Sequence, residues 1–275
     1  MTLIQAVVMA VLQGVTELFP ISSLGHAVMV PALLGWRNVD ENAPGFLPFL
    51  AVMHLGTAIA LLGYFWRDWW DFAVSIVRFR DPAGAERRGL FWRVVVATIP
   101  AVIIGFLFEK ALRHGFAAPR LAALFLMLNG FLLLVADRAR RAAARPLQAL
   151  SWLDSVVIGL CQCLALIPGL SRSGATMAGG YLRGLDHEAA ARFSFLTATP
   201  IILGAVALEA PKLLHNHENL GSLSLIAGAV AGVTALISVW ALMRWFKAHE
   251  ARGFTPFAIY CLVAGAGSLV MLFRA

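Results

Sequence analysis

Glu17-Leu-Phe-Pro20-Ile-Ser22-Ser23-Leu-Gly25-His26 and Ile167-Pro168-Gly169-Leu-Ser171-Arg172-Ser173-Gly174-Ala-Thr176 are two polar stretches set in apolar surroundings, each following an apolar run that ends in proline. A carboxylate, a histidine, an arginine and a group of hydroxyls are costly at membrane depth, where each ionisable group must find a partner or carry a penalty. One stretch lies in each half of the chain, about 150 residues apart. Together they point to one composite site, and to the fold that would bring them together.

The surroundings are those of an integral membrane protein. The 275 residues are 60% hydrophobic and 13% charged, and the mean hydropathy is +0.79. A soluble domain is nearer about 25% charged, so an all-α membrane protein is expected. A β-barrel is not expected, because the apolar residues come in long runs rather than in alternation. The N-terminus lacks a basic leader and carries Gln13 and Glu17, so no cleavable signal peptide is expected. The net charge of +7 sits in short loops, the pattern of positive-inside topology, and implies no nucleic acid partner. Cys161, Cys163 and Cys261 all lie in apolar runs and read as buried, unpaired thiols.

Six apolar segments read as full spans: 46–66, 90–108, 121–136, 190–208, 222–242 and 256–273. Two further stretches, 2–35 and 151–185, are interrupted midway by the polar motifs. Their halves are too short to span, so each reads as a re-entrant helix-loop-helix hairpin, with Pro20 and Pro168 expected to end the first half-helix. Loops 67–93, 136–150, 183–192 and 244–252 hold the larger share of the 22 arginines and lysines and belong in the cytoplasm. Six spans satisfy that alternation only if the first hairpin dips in from outside and the second from the cytoplasm. The expected architecture is a single membrane domain over 1–275, with internal inverted-topology repeats over about 1–136 and 150–275 and a site where the hairpins meet.

Gln13 and Glu17 are spaced i, i+4 and share a helix face that would point at Ser22, Ser23 and His26. A serine, a histidine and a carboxylate are the recipe for an activated nucleophile. Arg172 offers a permanently charged fork for phosphate. Ser171, Ser173 and Thr176 add hydroxyls, while Gly169 and Gly174 let the backbone approach an anion at the start of a half-helix. Plainer readings stand beside these. A membrane serine is usually back-bonded to its own helix, and Glu17 could simply pair with Arg172. His54 either lines the cavity or packs in the core. His187, His215 and His217 read as loop residues, and Trp66, Trp69 and Trp70 as an interfacial belt.

At these motifs the chain resembles the bacterial undecaprenyl-diphosphate phosphatases, also called bacitracin-resistance proteins. The residues that carry the likeness are Gln13-x-x-x-Glu17, Pro20-x-Ser22-Ser23-x-Gly25-His26 and Pro168-Gly-x-Ser171-Arg172-Ser173-Gly174-Ala175-Thr176. Phe193-Ser194-Phe195-Leu196 and Pro256-Phe257-Ala258-Ile259-Tyr260 extend it along the chain. The resemblance implies an enzyme of the bacterial inner membrane that removes the terminal phosphate of undecaprenyl diphosphate at a periplasm-facing site. That reaction recycles the lipid carrier of peptidoglycan precursors and confers bacitracin resistance. It implies Ser23 as nucleophile, His26 as its acid/base partner, Glu17 as proton support or an orienter of metal, and Arg172 as the diphosphate clamp. Gln13, Ser22, Gly25, Ser171, Ser173, Gly174 and Thr176 would bind substrate. No tightly held cofactor is expected; Mg²⁺ or Ca²⁺ carried on the diphosphate fits a site with one carboxylate. The family pattern allows Gln or Glu at position 13, and many members carry threonine where this chain has Leu24.

Two other classes fit parts of this pattern. The acid-phosphatase-like lipid phosphatases need a histidine six residues after the arginine, where this chain has Ala178. A polyprenyl-phosphate transporter or flippase would use the inverted repeats and Arg172 but would not need a serine–histidine pair. The sequence leaves the lipid chain length and the oligomeric state open.

Overall fold

The computed structural model describes residues 1–40, 43, 45–108, 118–139, 145–215, 221–249 and 252–274, the side chains of 210–215 excepted. In chain order the helices are α1 (Leu3–Thr16), α2 (Ser23–Leu33), α3 (Phe46–Tyr64), α4 (Trp66–Val77), α5 (Ala85–Leu107), α6 (Pro119–Arg138), α7 (Trp152–Cys163), α8 (Arg172–Leu182), α9 (His187–His215), α10 (Ser222–Ala248) and α11 (Thr255–Arg274). Among the described residues the only β pairing is an isolated bridge between Arg145 and Leu185. Helices α3, α5, α6, α9, α10 and α11 are long and apolar enough to cross a membrane, as all six expected spans require. Their outer faces carry exposed Leu, Ile, Val and Phe side chains, as a lipid-facing surface does.

The two interrupted stretches form short helix pairs. With 14 and 12 residues, α1 and α7 are about 21 and 18 Å long at 1.5 Å per residue, short of a core about 30 Å thick. Helix α1 packs on α2, and α7 on α8. The breaks come earlier than the residue before each proline. Helix α1 ends at Thr16, four residues before Pro20, and α7 ends at Cys163 and passes into a 3-10 turn over Leu164–Leu166 before Pro168. The reason is the proline ring, which clashes with the carbonyl four residues back as well as restricting its neighbour. Helix α4, by contrast, lies in what reads from the sequence as a loop. It exposes Trp66 and Trp70 and ties Asp68 to Arg192 of α9 at 2.6 Å.

The packing is by small residues. A Cβ on Gly56 of α3 would lie 2.0 Å from the Gly228 carbonyl of α10, so the two backbones touch there. Helix α1 packs on α10 and α7 on α5, while α3 meets α9 and α6 meets α11. At the loop end of the second pair, Asp154 caps α7 together with Ser151. It also accepts from Arg183 Nε at 2.6 Å and Arg145 Nη2 at 3.1 Å.

Burial alone would raise the Asp154 carboxyl. The Ser151 amide, the Arg183 guanidinium, the Ser151 hydroxyl and Arg145 outweigh it and hold the group down at about 2. A depressed carboxylate contributes stability that is complete above its unfolded value of about 4 and is lost as the pH falls towards about 2. Asp154→Asn therefore unfolds at a lower temperature than wild type at pH 7. In detergent melts this gap closes as the pH drops below about 4; a gap that does not change with pH would refute the account.

Candidate active site

The two breaks meet at the middle of the chain's packing, and Asn129 of α6 joins them. Its Nδ2 donates to the Pro20 carbonyl at 2.8 Å, and its Oδ1 accepts from the Ser171 amide at 3.2 Å. Ser173 Oγ adds a bond to the Phe19 carbonyl at 3.1 Å. Gly25 and Gly169 lie against each other, so that a Cβ on Gly25 would come within 3.1 Å of Gly169 Cα. Gly169 itself has φ +100 and presses on the Ala122 carbonyl, which only glycine allows.

Beside this junction lies a cavity of about 200 Å³. Water occupies about 30 Å³ per molecule in the liquid, so a phosphate group fits. Glu17, Ser22, Ser23, His54, Ser171 and Arg172 form its polar wall; Leu166, Leu170, Ile201 and Ile202 are on its apolar wall. Helices α2 and α8 both start here, capped by Ser22 and Ser171, whose hydroxyls accept from the Gly25 and Gly174 amides at 3.3 and 3.0 Å. The first amides of a helix have no partner within it, so both half-helices direct donors and a positive dipole end at the cavity.

Glu17 is the centre of the polar wall and is 7% exposed. Its Oε2 accepts from Ser23 Oγ at 2.5 Å and from Gln13 Nε2 at 3.2 Å, with His54 Nε2 at 3.4 Å. Its Oε1 pairs with Arg172 Nη2 at 3.0 Å. The ion pair and the hydroxyl contact therefore exist together on one carboxylate.

Glu17, Ser23 and Arg172 are thus brought together, with Ser22 and Ser171 on the same wall and Gln13 behind the carboxylate. His26 is not brought to Ser23. Its Nδ1 donates to the Ser22 carbonyl at 2.7 Å and its Nε2 accepts from the Tyr260 hydroxyl at 2.7 Å. Ser173, Gly174 and Thr176 serve the junction. Gly174 packs on Asn129, and Thr176 Oγ1 bonds the Arg172 carbonyl at 2.7 Å and Ser194 Oγ at 2.5 Å. Asn129 gave no signal in the sequence, being one amide in a long apolar run. His54 was legible as a cavity candidate, and here it faces Glu17. His187, read as a loop residue, is buried and bonded to Asp137 at 3.2 Å.

Fold and site together define a polytopic membrane protein whose polar centre, built from two broken helices, pairs an anion-binding half with a hydroxyl-and-carboxylate half. The chain belongs to the family of the bacitracin resistance protein BacA, whose sequence profile matches residues 6–267. It is 50% identical over 279 residues to an undecaprenyl-diphosphatase of Acidiphilium cryptum, covering 99% of both chains. It is 50% identical over 283 residues to that of Gluconobacter oxydans, covering 99% of this chain and 100% of the relative. An undecaprenyl-diphosphatase 2 of Chromobacterium violaceum is 46% identical over 273 residues, covering 98% and 99%.

Asn129→Leu keeps the volume but strands the Pro20 carbonyl and the Ser171 amide. Each buried group left without a partner costs about 1–3 kcal/mol. The variant should unfold at a clearly lower temperature in detergent, whereas Ser23→Ala should not; equal melting of Asn129→Leu and wild type would refute the bridge.

Proposed function

We propose that this chain hydrolyses undecaprenyl diphosphate to undecaprenyl phosphate and inorganic phosphate. The observation that carries this reading is the Ser23 hydroxyl donating at 2.5 Å to a carboxylate whose other oxygen holds Arg172, at the wall of a phosphate-sized cavity. The names of the related undecaprenyl-diphosphatases supply the substrate.

The diphosphate enters the cavity, and Arg172 turns from Glu17 Oε1 to the terminal phosphate. Ser23 Oγ attacks the terminal phosphorus. The Oγ–P bond forms, the anhydride P–O bond breaks, undecaprenyl phosphate leaves, and the serine proton passes to Glu17 Oε2. Arg172 and the first amides of α2 and α8 stabilise the equatorial oxygens. Water then attacks the phosphoserine, its hydroxyl staying on phosphorus as inorganic phosphate departs. Glu17 returns its proton to Ser23 Oγ, and the remaining proton of the water goes to solvent. In this scheme Glu17 takes the role of base that the resemblance implied for His26, and His26 holds the loop that presents Ser23.

Among the described residues no three His, Cys, Asp or Glu side chains gather as a metal site. With one carboxylate at the cavity, the donor set fits a divalent cation carried by the diphosphate, to which Glu17 would add an oxygen. An inverted repeat is part of the proposal. It is supported by the way α1 packs on α10 as α7 packs on α5, while α3–α9 and α6–α11 pair across the halves. So is a bacterial inner-membrane location with the cavity open to the periplasm, which the family resemblance implies, while the loop charges orient the spans with the arginine-rich loops inside.

Phosphate release from a C55 diphosphate by purified protein in detergent tests this reading. Ser23→Ala and Arg172→Ala should each lower kcat/KM by at least about 10³-fold. Ser23→Ala melts as wild type does, whereas Arg172→Ala stays folded but melts lower because it unpairs the buried Glu17 carboxylate. Wild type that binds the lipid through Arg172 yet releases no phosphate would point to transport instead.

A further inference from the structure

We propose that His54 is a positioning residue for Glu17, and that it holds the carboxylate aimed at Ser23 once substrate has drawn Arg172 away. The proposal rests on the phosphatase reading above and deepens it.

In the free site Glu17 is held from two sides. Arg172 pairs with Oε1, while Ser23, Gln13 and His54 gather at Oε2. The same guanidinium must serve the incoming phosphate, so binding removes the partner of Oε1. A carboxylate at 7% exposure then loses its arginine, and without His54 it would be free to turn about its last torsion, which would carry Oε2 off the serine. Ser23 cannot hold it, because its hydroxyl is the reacting group. Gln13 lies one turn back on the chain segment that carries Glu17 and moves with it.

Among the Oε2 partners His54 alone comes from outside the helix pair formed by α1 and α2. It stands on α3, and its ring is fixed by Nδ1, which donates to the Leu50 carbonyl at 2.8 Å one turn earlier. With Nδ1 donating there, Nε2 has a proton to give Glu17 Oε2, 3.4 Å away, only as the imidazolium, so in this contact His54 is a cationic donor. The ring borders the cavity beside Ser23 and Arg172 and is 18% exposed, which is not the setting of a core-packing histidine. Helix α3 is locked in turn by the backbone contact of Gly56 with Gly228, two residues further on. His54 therefore references Glu17 to the rigid span bundle and not to the hairpin that carries the nucleophile.

The test is steady-state phosphate release from the C55 diphosphate by the full-length protein in detergent. His54→Ala should lower kcat by about 10²-fold, the cost of about 1 Å of misplacement, and leave KM within about twofold. His54→Gln keeps an N–H donor at nearly the same reach and should recover kcat to within about tenfold of wild type. Glu17→Gln combined with His54→Ala should be no slower than Glu17→Gln alone, because one residue acts through the other. His54→Met fills the space without a donor and replaces the alanine variant if that one fails to fold. The proposal is overturned if the donor-less variants keep kcat within about twofold of wild type. It is equally overturned if glutamine rescues nothing at unchanged melting temperature, or if the losses multiply in the double variant. Wild type that releases no phosphate overturns the phosphatase reading instead, whatever the variants do.

Discussion

An irregular backbone in the middle of a membrane bundle must satisfy its polar groups from within the protein, and here that duty falls on Asn129. Each proline ends its helix early and leaves amides and carbonyls without helical partners. One buried amide answers both breaks at once, donating to Pro20 and accepting from Ser171. A side chain that merely plugged one break would let the two hairpins drift. This one makes their separation a single fixed length, reinforced by Ser173 on Phe19 and by the contact of Gly25 with Gly169. The distance between Ser23 and Arg172, residues from opposite halves of the chain, is therefore set by hydrogen bonds behind the site as well as by the Glu17 carboxylate they share.

The same economy explains His26. Ser22 is the one non-glycine residue among those described with positive φ, at +69. Such a backbone costs about 1–3 kcal/mol and persists only where its surroundings over-determine it. Three bonds do so. The Ser22 hydroxyl accepts from Gly25, its carbonyl accepts from His26 Nδ1, and Tyr260 fixes the far side of the imidazole. At about 0.5–1.5 kcal/mol net for each bond, they offset the strain. What the strain achieves is the placement of Ser23 at the first position of α2, with its hydroxyl turned to Glu17. A histidine three residues after a serine invites a reading as its base; its two ring nitrogens here are engaged by the Ser22 carbonyl and the Tyr260 hydroxyl, contacts that brace the turn.

Much of this was legible in the sequence because membranes simplify it. Six spans announce themselves by length and hydropathy, and polar groups such as Glu17, Ser23 and Arg172 stand out where they are expensive. What stayed hidden was of two kinds. Helix α4 is short and amphipathic, and its tryptophans and charges look the same in a loop as on a helix lying at an interface. Asn129, Tyr260 and the place of His54 are long-range partnerships, in which residues more than 30 positions apart meet through helix packing. No local spacing encodes which face of α3 or α6 turns inward. The Gln13–Glu17 face was readable for the opposite reason, since i, i+4 neighbours meet within a single helix.

The pair formed by Glu17 and Arg172 is both the plainest reading of the site and the argument against it. A buried ion pair kept only for structure is a poor bargain, because apolar side chains of similar volume commonly do as well or better. This one also borders a cavity, and its carboxylate takes three further partners, one of them a serine hydroxyl at 2.5 Å. A carrier of phosphate would use the arginine and the two helix ends, yet it would have no work for that serine, since a hydroxyl spent on a carboxylate is unavailable to the cargo. The contact has a purpose if the hydroxyl must lose its proton while the arginine is elsewhere. The free state then holds each group ready against the other: the cation partners the carboxylate in a buried site, and the arriving anion would release the carboxylate by claiming the cation.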